Sequence, residues 1–339
     1  MPAGSNFSVS SASFSHEEGT IGLDHAGGEI AFSSHAHSDH SSFLRKAAKV
    51  VASEQTIELW QAREGKSFEG SLVMPKGAKL YNAGHILGAR QLRVEADGET
   101  LLYTGDLNAS PSLTCTAAEI PSTDVLVVEC TYGAPHYSFP SRQQVCTQIA
   151  AWAKQGIDNG ENVVLGGYSL GKAQELVKAL NEFAGIAPLV NQAIAKVCKV
   201  YNRHGCNLDF ITIGTDEADR MLEKTFASVL PMNQVTPQLG RSLSSHYGRN
   251  TRTGVATGWA LDGNYSGVDA AFPLSDHSDF NSLFSFVQST GAKKVFCTHG
   301  FSQVFAAELR KKGIDAHPLD SFRSKNKTER QAKTLVEYA

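Results

Sequence analysis

None of the six cysteines (Cys115, Cys130, Cys146, Cys198, Cys206, Cys297) stands in a Cys-x-x-Cys spacing. That excludes thiolate zinc ribbons and thioredoxin-like redox pairs, and it favours buried free thiols in a reducing cytoplasm. There is no apolar run near the N-terminus long enough for a signal peptide or a membrane span, so a cytoplasmic chain with no membrane partner is expected. Neither sign of charge dominates: 31 Lys and Arg face 34 Asp and Glu, for a net charge of -3. A global basic field is therefore missing, and any anion-binding surface must be local or supplied by bound cations. Low hydrophobicity is also missing. With 41% hydrophobic and 19% charged residues over 339 positions, the chain folds, as one large or two ordinary domains. What it does have is histidine, twelve in all, several just after strand-like runs.

The strand signal is strongest in the first part. Ile30-Ala31-Phe32 and Lys49-Val50-Val51-Ala52 read as strands, and Ser53 caps a helix carrying Ile57, Leu59 and Trp60. Gln91 to Thr104 reads as a hairpin about Asp97-Gly98, and Val125-Leu126-Val127-Val128 as a strand covered on both faces. After Gly133 the pattern changes. Val145, Ile149 and Trp152 recur at helical spacing, and βα units follow: Val163-Val164-Leu165 with a helix from Gly171, and Phe210 to Ile213 with a helix from Asp216. Gly240 to Gly254, rich in Ser, Arg, Gly and Asn, reads as a loop. Helix, strand and helix then return at Asp279 to Ser289, Lys294 to Thr298 and Ser302 to Lys312. The tail, where Arg323, Lys325, Lys327, Arg330 and Lys333 are diluted by Glu329 and Glu337, reads as solvated.

The chemistry concentrates in Ser34-His35-Ala36-His37-Ser38-Asp39-His40, directly after a strand. Four ligand-type side chains in so short a stretch do not converge on one ion from a helix or a strand, whereas a loop at a strand's end aims them at two. Imidazole and carboxylate together suit zinc, with manganese or iron as alternatives. His85 in Asn82-Ala83-Gly84-His85 and Asp106 in Tyr103-Thr104-Gly105-Asp106 sit at similar strand ends, each beside a glycine that lets the backbone approach closely. Either alone reads as a turn residue; with the first cluster they read as further ligands.

These residues resemble the metallo-β-lactamase superfamily, with its His-x-His-x-Asp-His loop, then a lone His, then a lone Asp. The resemblance implies an αββα sandwich with the site at one edge. Within the superfamily, Val128-Glu129-Cys130-Thr131-Tyr132-Gly133, the phrase Gly167 to Leu176, Ser275-Asp276-His277-Ser278-Asp279 and Cys297-Thr298-His299-Gly300 are similar to the successive motifs of the β-CASP nucleases. Leu274 to His277, Thr298 to Phe301 and Thr257-Gly258-Trp259-Ala260 look closest to the DNA-ligase-associated exonucleases, then to the RNA 3′-end-processing and RNA-decay members. Cys130 stands where serine is common in this branch.

The implied fold class is α/β: a metallo-β-lactamase αββα domain from residues 1–133 and 268–339, interrupted by an α/β β-CASP cap at 134–267. The implied cofactors are two divalent metal ions, zinc first. His35, His37 and His85 would hold one, Asp39, His40 and His299 the other, and Asp106 would bridge them. His277 would be the general acid and Glu129 its orienting partner, with Asp39 counted among the catalytic groups. Ser169 and Lys172, at a helix start, and Arg249, in the basic Arg241 to Arg252 stretch with His246 and Tyr247, are the candidate substrate-binding residues. The expected activity is two-metal hydrolysis of DNA or RNA phosphodiesters, DNA exonuclease ahead of RNA nuclease, on single strands or ends. A homodimer, and partners from DNA repair or RNA processing, are compatible with it. Two other readings stand beside it: a hydrolase of small amides, esters or β-lactams, and a non-catalytic nucleic-acid-binding scaffold.

Overall fold

A computed structural model describes residues 13–96, 98–263 and 265–319. The tail that the sequence reads as solvated, the first twelve residues, Asp97 of the expected hairpin and Asn264 lie outside the described residues.

Two sheets face one another. The first holds, in spatial order, Ser13–His16, Gly19–Leu23, Ile30–Phe32, Lys49–Val51 and Ser71–Leu72. The second runs Ala316–Pro318, Lys294–Thr298, Val125–Glu129, Glu99–Tyr103, Arg90–Ala96 and Ala78–Asn82, so the C-terminal segment returns beside the early strands. The period-two alternation of these strands sends one set of side chains between the sheets: Ile21, Phe32 and Val51 from the first, Leu92, Leu101 and Val127 from the second. Each such side chain contributes about 1.5–3 kcal/mol by leaving water. The opposite set on the second sheet, Leu126, Val128 and Val295, packs under helices Phe280–Thr290 and Ser302–Lys311 through Phe286, Phe305 and Leu309. On the first sheet's outer face Val50 meets Ile57 and Trp60 of helix Glu54–Glu64. Ser53 caps that helix, accepting the Thr56 amide proton at 3.0 Å. The layers are therefore α, β, β, α.

A third sheet is parallel throughout, with strands Ile211–Thr212, Leu189–Val190, Ala227–Pro231, Asn162–Gly167, Thr251–Ala256 and Ala270–Phe272 in spatial order. Helices Arg142–Asp158, Lys172–Ala184 and Gln192–Arg203 cover one face, where Ile149, Val177 and Tyr201 pack on Leu165 and Val229. The same apolar cluster takes in Ala36, Ala83 and Ile86 of the sandwich, so the inserted layer is seated on the loops that carry His35, His37 and His85. Its last strand, Ala270–Phe272, lies just beyond position 267.

One expectation is corrected here. Residues 240–254 are not a loop: helix Pro237–Tyr247 runs through them, capped by Thr236 with Pro237 in its first turn, and strand Thr251–Ala256 follows. Leu239 and Leu243, one helical turn apart, dock on Val164 and Val255. Of the polar residues that suggested a loop, Arg241, Ser242 and Ser245 lie on the helix's exposed face, Gly240 is buried against Thr253, and Gly248, Arg249, Arg252 and Gly254 lie beyond the helix.

Candidate metal centre

Four of the ligand-type residues singled out above come just after the C-terminal end of a strand. His35 follows Ile30–Phe32, His85 follows Ala78–Asn82, Asp106 follows Glu99–Tyr103, and His299 follows Lys294–Thr298. His35 and His37 lie in the connecting loop, and a single helical turn, Ser38–Ser41, carries Asp39 and His40. Close approach needs glycine: at Gly105, with φ +56°, a Cβ would sit 2.4 Å from the Cβ of Ser34. His299 itself takes a left-handed φ of +59°, turning its ring back over the cleft.

Donor atoms of His35, His37, His85 and Asp106 all fall within 4.8 Å of one another. The outer ring nitrogens explain why. Ser34 Oγ donates to Asp24 Oδ2 at 2.7 Å, so it accepts from His35 Nδ1 at 3.0 Å. His37 Nε2 donates to the Leu170 carbonyl (3.1 Å) and His85 Nδ1 to the Asp276 carbonyl (2.8 Å). Each imidazole is thereby left with a lone pair on its inner nitrogen. Those lone pairs meet: His35 Nε2 and His85 Nε2 lie 2.9 and 3.2 Å from His37 Nδ1. Burial, then the neighbouring imidazoles, push His35 and His85 well below the usual histidine range, so the rings are neutral. Three acceptors converging without a proton repel one another, and a cation between them removes that repulsion. The residues present fit a metal ion.

A second set adjoins the first. His40 Nδ1 donates to Asp24 Oδ2 at 2.7 Å, leaving Nε2 3.5 Å from Asp39 Oδ2 and 3.6 Å from Asp106 Oδ2. Burial opposes charge on His40, but Asp106 and Asp24 outweigh it and raise its pKa well above the usual range; positive charge belongs at this spot. His299 lines the same cavity, its ring centroid 5.7 Å from that of His40. One oxygen joins the two sets: Asp106 Oδ2 is 3.6 Å from His35 Nε2, 3.6 Å from His40 Nε2 and 3.7 Å from His85 Nε2.

His277 Nε2 stands 3.9 Å from that oxygen, and its Nδ1 lies 2.9 Å from Glu129 Oε1. Glu129 is wholly buried and also accepts amide protons from Leu107 (3.1 Å) and Thr131 (2.7 Å). Burial opposes charge on both partners, yet each holds the other ionised: His277 is raised and Glu129 lowered.

The cavity above these groups encloses about 420 Å³. Its far wall comes from strand ends of the third sheet: Tyr168 to Leu170, Thr257 to Trp259, and Leu274 to His277. The C-terminal ends of strands from the two sandwich sheets thus face those of the third sheet across it, as in open α/β folds where ligands bind at such ends. Tyr132, Tyr168 and Trp259 give the wall an aromatic character; Tyr132 and Trp259 lie 4.7 Å apart, and Tyr168 is 52% exposed.

The three substrate-binding candidates are placed differently. Ser169 lines the cavity. Lys172 borders it, but its ammonium is buried 2.7 Å from Asp276 Oδ1 and 3.4 Å from Glu175 Oε2, so its charge serves carboxylates rather than a phosphate. Arg249 is away from the cavity lining: its guanidinium donates to the carbonyls of Leu222 and Glu223, closing the end of helix Asp216–Leu222. Arg252 is likewise occupied, 2.9 Å from Glu161 and stacked 5.0 Å over Trp152. Asp24, which the sequence does not single out, orders the centre by accepting from Ser34, His40 and Tyr103. Its left-handed φ of +57° is the local signal, and no motif surrounds it.

No protein-family model matches the chain. It is 33% identical over 300 residues to a probable DNA ligase of Opitutus terrae, a match covering 84% of this chain and 28% of that protein. It is 39% identical over 107 residues to an RNase J-like protein of Methanocaldococcus jannaschii, covering 31% of this chain and 25% of the relative. Over 142 residues it is 34% identical to cleavage and polyadenylation specificity factor 73 of Drosophila melanogaster, covering 41% and 20%. The chain thus spans between a fifth and a little over a quarter of the length of these relatives. Among the described residues no helix is long and apolar enough to cross a membrane.

Proposed function

Because the chain belongs to the β-CASP branch of the metallo-β-lactamase superfamily, we propose that it is a metal-dependent nuclease hydrolysing phosphodiester bonds, with zinc as the native metal. The observation that carries this reading is the placement of His277, 2.9 Å from the buried Glu129 carboxylate and at the edge of the donor cluster, 3.9 Å from Asp106. A phosphodiester needs its leaving oxygen protonated, which this pair is suited to do, and the aromatic cavity wall suits bases flanking the scissile bond rather than a small amide or β-lactam.

His35, His37, His85 and Asp106 would hold one cation, and Asp39, His40, His299 and Asp106 a second. Two divalent ions so held supply a lowered water pKa and offset the negative charge that builds on the phosphorus-bound oxygens. The protein's own groups do the rest. Glu129 keeps the His277 proton on Nδ1 as well as Nε2, and Nε2 donates to the departing oxygen. The aromatic wall excludes water and offers stacking faces to bases beside the scissile bond, which favours single strands or frayed ends over intact duplex. Ser169, which lines the same cavity, would bind a phosphate oxygen.

We read residues 134–267 as the cap and the flanking segments as the catalytic domain. DNA stands ahead of RNA because the relative matched over most of this chain is a probable DNA ligase, while the RNase J-like match covers about a third. The test is cleavage of end-labelled single- and double-stranded DNA and RNA, with and without chelator and with added zinc or manganese, beside His40→Ala. Metal-dependent cleavage lost in His40→Ala is expected; four intact substrates would overturn the reading.

A further inference from the structure

Two of the three imidazoles that converge on His37 Nδ1's neighbourhood take their outer hydrogen bond from the far side of the cleft. His37 is held by the Leu170 carbonyl and His85 by that of Asp276. Both acceptors are main-chain groups, so their placement depends on whatever fixes the peptide units. Leu170 lies just ahead of helix Lys172–Ala184, and Asp276 lies between strand Ala270–Phe272 and helix Phe280–Thr290.

Four charges tie these segments together. Lys172 Nζ is 2.7 Å from Asp276 Oδ1 and 3.4 Å from Glu175 Oε2. Arg142, from helix Arg142–Asp158, donates to both oxygens of Glu175 at 2.6 Å and also to the Ser275 carbonyl. Glu175 is wholly buried, Lys172 2% and Asp276 8% exposed. Two positive and two negative charges cancel within the set. A buried ionic set contributes little net stability compared with apolar packing of the same volume, because desolvation offsets the attraction. What it does supply is direction: each bond fixes a distance and an angle between elements that apolar contact leaves free to slide.

We infer that Arg142, Lys172, Glu175 and Asp276 are positioning residues of the metal centre. They lock the Leu170 and Asp276 peptides, those peptides fix the tautomer and aim of His37 and His85, and the docking of the inserted layer and the binding of metal stabilise each other. The inference rests on His35, His37, His85 and Asp106 being metal ligands.

The experiment measures zinc affinity by chelator competition and the visible absorption of the cobalt(II)-loaded full chain. The proteins are wild type, Glu175→Gln, Lys172→Arg and the double variant Lys172→Met with Asp276→Asn. The double variant removes one charge of each sign, so it carries the test should Glu175→Gln fail to fold. Expected is zinc binding weakened about tenfold in Glu175→Gln and in the double variant, with a shifted cobalt band, and values near wild type in Lys172→Arg. Unfolding of the metal-free proteins is followed alongside. Lower metal-free stability with unchanged zinc affinity and cobalt band would mean an ordinary structural cluster and overturns the inference. A wild-type chain that binds neither ion fails differently, removing the metal-centre reading itself.

Discussion

Glu129 Oε1 lies 2.9 Å from His277 Nδ1, with the carboxylate wholly buried and the imidazole facing the cavity. The pair acts as one unit, since the carboxylate both fixes which nitrogen points at Asp106 and keeps the ring charged. His277→Ala is therefore expected to lower the single-turnover cleavage rate by about 10²- to 10⁴-fold while substrate affinity stays within a few-fold. Glu129→Gln keeps the shape and removes the charge, so it falls in between, and the double variant is no slower than His277→Ala. Rate losses that multiply in the double variant would show two independent roles.

Asp24 is the hub beneath both donor sets, bonded to Ser34, His40 and Tyr103. Asp24→Asn leaves His40 without its anionic partner and forces one amide hydrogen toward groups that already donate. Zinc affinity should drop about 10- to 100-fold. Chelator competition measures it, and affinity unchanged from wild type would show that Asp24 only braces the fold.

The candidate metal centre is legible in the sequence because its residues are close together where they share a loop, and because each remote one ends a strand-like run beside glycine. Alternation and capping likewise pointed to the strands and to Ser53. What stayed hidden depends on contacts between distant segments. Lys172 at a helix start reads as a phosphate ligand until Asp276, 104 positions along the chain, takes its ammonium. Arg249 reads as part of a basic loop until helix Pro237–Tyr247 folds and turns it onto the carbonyls of Leu222 and Glu223. Composition identified polar residues in both places; only the packing decides which partners absorb them.

Tyr168, 52% exposed on the cavity wall, is the aromatic most available to a base. Stacking of one base is worth about 1–3 kcal/mol, so Tyr168→Ala should weaken binding of a single-stranded oligonucleotide by about 5- to 150-fold at fixed salt, with little dependence on base identity. Tyr168→Phe should bind like wild type. Fluorescence anisotropy with metal ligands intact but His277→Ala, to prevent cleavage, gives the comparison. Equal affinities of Tyr168→Ala and Tyr168→Phe would remove the stacking role.

Away from the centre, Asp124 offers a pH test free of the metal ligands. Lys293 beside it, 2.8 Å away, and hydrogen bonds from Thr100 hold its carboxyl down to about 2. The unfolded chain has the ordinary value near 3.9. A folded-state pKa below the unfolded one adds stability that is present above about pH 4 and is lost as pH falls through about 2. Lys293 is largely exposed, so solvent screening reduces the contribution to about 1 kcal/mol. Urea unfolding of wild type and Asp124→Asn, both with chelator, should differ by that amount at pH 6, where Asp124 is charged in both states. The gap should narrow at pH 3, because the unfolded wild type is then largely protonated while the folded carboxyl still holds its charge, so folding must release a proton. A gap independent of pH would show that the charge of Asp124 contributes nothing and that the difference arises from the fit of the asparagine amide.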